Sequence, residues 1–124
     1  MNVYDRSGAP ITFERYAELS KDFDSYKRVL LHEIGESKIS TVWLGINYNF
    51  SGEGLPIIFE TMIFGGSHDN DQWRWETEDE AKRQHVRIAA ALSEGVCPHT
   101  SVAPLGCWHE DCLDTHAFRN LLEL

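Results

Sequence analysis

Polar and apolar residues alternate from Tyr26 to Ile34. Lys27 and Glu33 bracket Val29 and Leu31 on one face, and Arg28, Leu30, His32 and Ile34 occupy the other, a period of two that predicts a β-strand. Gly35-Glu36-Ser37-Lys38 has the composition of a tight turn. Ile39 to Ile46, dense in β-branched and aromatic side chains around Thr41, Val42 and Trp43, then reads as the second arm of a hairpin. Asn47 to Leu55 has the Asn, Ser and Gly content of a loop, after which Pro56 opens the apolar run Ile57 to Phe64, expected to be the central strand. Gly65 to Asp71 is a polar connection, and Trp73-Arg74-Trp75 adds a short fourth strand.

The period then changes. Ala81, His85, Ile88 and Leu92 recur three or four apart, which gives a helix one apolar face to lay on the sheet. Thr77-Glu78-Asp79-Glu80 supplies a capping box at its start, with acidic residues at the positive end of the helix dipole, and Gly95 ends it. At the other end of the chain, a short extended piece turns at Asp5-Arg6-Ser7-Gly8. Thr12 then caps a short helix carrying Phe13, Tyr16, Ala17 and Leu19, an arrangement suited to a docking arm. The fold expected is α+β: an antiparallel sheet of three or four strands, one main helix across a face, a short N-terminal helix and a zinc-stabilised tail. Residues 1–96 form the core and 97–124 a Cys/His-rich tail of the same structural unit. A tail forming an extended helix docked on a partner subunit is the alternative.

At 124 residues the chain suffices for one hydrophobic core. Its 42% hydrophobic and 11% aromatic content separates it from disordered chains. The formal charge of −9 repels nucleic-acid phosphates and anionic lipid headgroups, and suits a partner with a basic surface. No apolar run reaches the roughly 20 residues of a membrane span, and Met1 to Arg6 lacks a secretory apolar stretch, so a cytoplasmic monomer or small homo-oligomer is expected.

The chemistry concentrates near the C-terminus. Cys97-Pro98-His99, Cys107-Trp108-His109-Glu110-Asp111-Cys112 and His116 place all three cysteines and three of the six histidines within twenty residues. An odd cysteine count confined to one short stretch argues against a disulfide framework and for a metal site. Thiolates and imidazoles are the donors a tetrahedral zinc ion takes, and Cys97, Cys107, Cys112 and His116 are the expected ligands, with His99 and His109 as alternates. Cys112 and His116 would share one face of a helical turn. A closed zinc site standing in for a hydrophobic core of the tail is the preferred role.

The spacing Cys-x9-Cys-x4-Cys-x3-His resembles that of CCCH zinc fingers. That resemblance implies single-stranded RNA stacked on aromatics such as Trp108 and Phe118. From Cys97 onward, however, one basic residue, Arg119, faces four acidic ones, Glu110, Asp111, Asp114 and Glu123, which argues against RNA. A second resemblance involves Tyr4 to Thr12, Lys38-Ile39-Ser40-Thr41-Val42-Trp43-Leu44-Gly45, Pro56 to Gly65 and the helix from Thr77. These are similar to a group of small uncharacterised bacteriophage and actinobacterial proteins, a likeness that implies a phage accessory protein and carries no activity with it.

Elsewhere, His68-Asp69-Asn70-Asp71 offers metal donors within a loop whose composition is also that of a solvated turn. Glu60, within an apolar strand, is expected to face away from the core, and His85 to be a partly buried core histidine. No phosphate loop or nucleophile motif is present. Three functions follow as expectations: a non-enzymatic phage-encoded protein that binds a host protein in takeover or anti-defence, with a structural zinc; a metal-dependent nuclease or hydrolase using His68, His99 or His109; and a zinc-finger nucleic-acid binder.

Overall fold

The protein is described by a computed structural model covering residues 2–99. The expected ligands Cys107, His109, Cys112 and His116 lie outside the described residues, as do Trp108 and Phe118. The fold is α+β. Strands β1 (Val3–Tyr4) and β2 (Pro10–Ile11) form a two-stranded hairpin, followed by helix α1 (Phe13–Lys21) and a π-helical turn (Phe23–Lys27). Strands β3 (Arg28–Ile34), β4 (Ser37–Trp43), β5 (Phe59–Phe64) and β6 (Gln72–Trp75) build an antiparallel sheet in sequential order, and α2 (Glu78–Ser93) follows. No helix among the described residues is long and apolar enough to cross a membrane.

Alternation along the strands decides which residues meet α2. In β4 and β5, Ile39, Thr41, Trp43, Phe59, Thr61 and Ile63 are fully buried, while the residues between them are half-buried or exposed. One half of the core surrounds Trp43, Ile58, Phe59 and Ala81, and the other surrounds Ile39, Ile63 and Ile88. Between them lie the buried polar groups Thr41, Thr61 and His85. Glu60 lies on the opposite face, where Glu60 Oε2 accepts from Arg74 Nε at 3.1 Å, its cross-strand partner.

Several boundaries differ from expectation for local physical reasons. β3 begins at Arg28 rather than Tyr26, because Asp22 caps the preceding turn by accepting from the Ser25 amide at 3.1 Å and coils Phe23–Lys27. A register shift between Arg28 and Leu30 interrupts the alternation at its start. β4 ends at Trp43, since Gly45 takes a φ of 75° and lies against the Trp43 ring, where an added Cβ would sit 2.6 Å from that ring. The N-terminal arm docks at this point. The Tyr4 amide donates to the Gly45 carbonyl at 2.8 Å, and Trp43 Nε1 donates to the Tyr4 carbonyl at 2.9 Å. Pro10–Ile11, not anticipated as a strand, completes the arm's hairpin.

At the start of α2, Thr77 Oγ1 accepts from the Glu80 amide at 3.2 Å. Glu80 turns away from the reciprocal half of the capping box: its carboxylate takes Gln84 Nε2 at 2.8 Å and the Arg83 guanidinium. With one capping bond to lose, Thr77→Ala is expected to cost about 1 kcal/mol, read as a small shift of the urea midpoint with unchanged slope.

Candidate metal centre

The C-terminus of α2 sets the site. Glu94 is the cap, Gly95 follows with a φ of 72°, the Gly95 amide donates to the Leu92 carbonyl at 3.2 Å and the Val96 amide to the Ala91 carbonyl at 2.8 Å. This paired closure is a Schellman motif, which needs left-handed backbone at the glycine and turns the chain sharply back. It delivers Cys97, Pro98 and His99 against the sheet, with Cys97 and Pro98 buried.

The loop between β5 and β6 meets them there. The Gly65 amide donates to Asp69 Oδ1 at 2.6 Å, the Asn70 amide to the Ile63 carbonyl at 2.8 Å and the Asp71 amide to the His68 carbonyl at 3.1 Å. These bonds close the loop tightly and place the His68 and Asp71 side chains together. Asp71 Oδ2 lies 3.0 Å from His68 Nδ1 and 2.8 Å from His99 Nε2. The His99 ring rests on Trp73 with centroids 4.7 Å apart, which limits its rotation.

His68, Asp71 and His99 each offer one donor atom, and the three donors lie within 4.8 Å of one another. Zinc bonds of about 2.0–2.2 Å to nitrogen and oxygen place tetrahedral ligands roughly 3.3 Å apart, so small side-chain adjustments suffice to enclose an ion. The side chain of Asp71 is only 10% exposed. Hydrogen bonds or positive charge stabilise a carboxyl group at that depth, and a cation held between the three groups would supply the charge. Cys97 borders the same cleft of about 360 Å³ as His68, together with Ser37, Gly66 and Leu92.

Of the residues expected to bind metal, Cys97 and His99 fall within the described chain. The structure joins His99 to His68 and Asp71, two residues that the sequence placed in a separate loop cluster. Nothing in their spacing signalled the meeting, because His99 and Asp71 are 28 positions apart and are brought together by the reversal after α2. His85, expected to be partly buried, is fully buried. It takes no part in this cluster. No family model, curated protein or solved structure matches the chain.

Proposed function

We propose that this protein is a non-enzymatic binding module, stapled by a divalent transition metal, that acts by occupying a basic surface on another macromolecule. The observation that carries the metal reading is the convergence of His68, Asp71 and His99 from two separate segments onto one small volume. Zinc suits the donor set, since imidazole nitrogen, carboxylate oxygen and a neighbouring thiol at Cys97 are its habitual partners. A metal here would tie the segment after α2 to the β5–β6 loop. Its binding free energy would then contribute to the stability of that junction. Zinc ligation by Cys107, Cys112 and His116 belongs to the same proposal, as the means of extending the site into the tail.

The binding reading rests on charge and on exposed apolar side chains. A net charge of −9 attracts a positive partner surface over long range, chiefly accelerating association. In the loop after β4, Phe50 is 87% exposed and Leu55 is 55% exposed. Tyr48 beside them is held by Arg74, whose guanidinium lies 4.3 Å above its ring. Such groups can anchor a contact that charge has steered into place. The likeness to phage proteins adds a host protein as the partner class.

Metal analysis of the full chain after zinc-replete expression is the primary test, with about one equivalent of zinc per chain expected. His99→Ala and Cys112→Ser should each reduce that content and lower the melting temperature. Chelation should lower the wild-type melting temperature and leave a metal-free His68→Ala/His99→Ala variant unchanged. A chain without metal, or His99→Ala with undiminished content, would refute the assignment of the site. The hydrolase is the second reading, favoured by one observation: two histidines and a carboxylate are the ligand set of many catalytic zinc centres. Metal-dependent cleavage of nucleic acid or phosphoesters that His68→Ala abolishes would replace the binding reading. Retention of a host protein at low salt and its release at high salt, without turnover, would uphold it.

A further inference from the structure

A chain of buried side-chain hydrogen bonds crosses the core outside the metal cluster. Trp75 Nε1 lies 2.9 Å from Thr61 Oγ1, which lies 2.6 Å from Thr41 Oγ1. Thr41 Oγ1 is 2.7 Å from His85 Nδ1, and His85 Nε2 is 2.8 Å from Nδ1 of His32. Thr41, Thr61 and His85 are fully buried, whereas His32 is exposed. The series therefore runs from β6 through β5, β4 and α2 to solvent at β3. Among the described residues, its last link is the one side-chain hydrogen bond between α2 and β3.

Donor accounting gives the chain a direction. An indole N–H can only donate, so Trp75 donates to Thr61. The Thr61 hydroxyl then has Thr41 as its acceptor, the Thr41 hydroxyl has His85 Nδ1, and the remaining His85 proton sits on Nε2 and is donated to His32 Nδ1. Running the links the other way would leave the Thr61 hydroxyl proton buried without an acceptor, an arrangement that native interiors avoid. Both imidazoles are accordingly neutral, each carrying its proton on Nε2.

We propose that His32 is a proton sensor at the end of this one-way chain, and that its protonation releases the polar tie between α2 and the edge strand β3. Once Nδ1 of His32 carries a proton it becomes a donor facing the Nε2–H donor of His85. The bond must open, since the chain cannot reverse. His85 cannot absorb the change by taking up the proton itself. Burial, and secondarily the neighbouring His32, push its imidazole down to about 4 from an ordinary value of 6.5. From the sheet, His85 is hydrogen-bonded to Thr41 and His32; His32 itself pairs with the apolar Ile39 on β4, and the charged groups next to it, Glu33 on β3 and Lys38 on β4, are exposed and lie 3.6 Å from each other. On α2 the charged residues near His85 in sequence, Lys82, Arg83 and Arg87, are all exposed, and the first two are paired with Glu78 and Glu80.

The sign of the wider pH effect follows from His85. Its folded value lies below the ordinary one, so the unfolded chain binds more protons between about 6.5 and about 4. The stability contributed by neutral His85 is complete above that window and declines as pH falls through it. The sensor adds a local effect to this global one, confined to β3.

Amide hydrogen exchange on the full chain separates the two. Between about pH 8 and about pH 5, and after correction for intrinsic exchange, β3 amides should accelerate roughly tenfold relative to β5 amides. His32→Asn, whose side-chain oxygen can accept from His85 but does not titrate, should remove that relative change. Nitrogen-15 spectra of the wild type should show His85 as the neutral Nε2–H form throughout. A β3-to-β5 ratio independent of pH, the same acceleration in His32→Asn, or a His85 proton on Nδ1 at neutral pH would each overturn the proposal.

Discussion

Ile88→Asp is expected to leave the protein largely unfolded at room temperature. Ile88 is fully buried and packs with Ile39 and Ile63 where α2 lies across β4 and β5. Removing its side chain forfeits the transfer and packing free energy of a core isoleucine, about 2–5 kcal/mol. The aspartate adds the cost of burying a carboxyl group against the apolar side chains of Ile39 and Ile63. A total of at least about 4 kcal/mol approaches the whole stability of an ordinary domain, about 5–15 kcal/mol. Loss of the cooperative urea transition, with Ile88→Val retaining it at a cost of about 1 kcal/mol, is the expected result. An Ile88→Asp protein with a wild-type midpoint would show that α2 does not pack on this face.

Trp43→Ala is the second large effect, at about 3–5 kcal/mol and a fall in melting temperature on the order of 20 °C. Trp43 fills the other half of the core and is fully buried. Tyr26 meets its ring edge-on at 5.0 Å between centroids, and Tyr16 lies tilted at 5.5 Å. The indole N–H also holds the N-terminal arm through the Tyr4 carbonyl. Truncation therefore opens a cavity and releases an anchoring bond together. Trp43→Phe keeps most of the packing and loses the hydrogen bond, so it should cost a fraction of the alanine variant's loss. Equal melting temperatures for Trp43→Ala and wild type would mean that the arm and α1 are not seated on this residue.

The two halves of the core bear differently on function. The Trp43 half fixes the N-terminal arm, whereas the Ile88 half supports the end of α2 from which Cys97 and His99 return to the sheet. Damage to α2 should therefore disturb the proposed metal site at a distance. Trp43→Ala, for all its cost, should leave metal content unchanged in whatever fraction remains folded. Metal content and stability measured on both variants would separate a structural lesion from a ligand lesion.

Short-range regularities were legible in the chain itself. The alternation of β4 and β5, the helical period of Ala81, His85 and Ile88, the Thr77 cap and the Gly95 stop depend on backbone geometry and on bonds between residues a few positions apart. Net charge and the density of Cys and His toward the C-terminus are likewise properties of composition. Tertiary structure decided the rest. The Asp22-capped turn shortened β3, because a local side-chain bond competed with an extended pattern that periodicity alone could not arbitrate. His85 came to face His32, 53 positions away, through the register of β3 on β4 and the crossing of α2 over both. His99 reached Asp71 and His68 because the Schellman closure reverses the chain beside the β5–β6 loop. Periodicity determines which face of an element is buried, but which side chains share a point in space depends on how the elements cross, and that is settled only when the whole core packs.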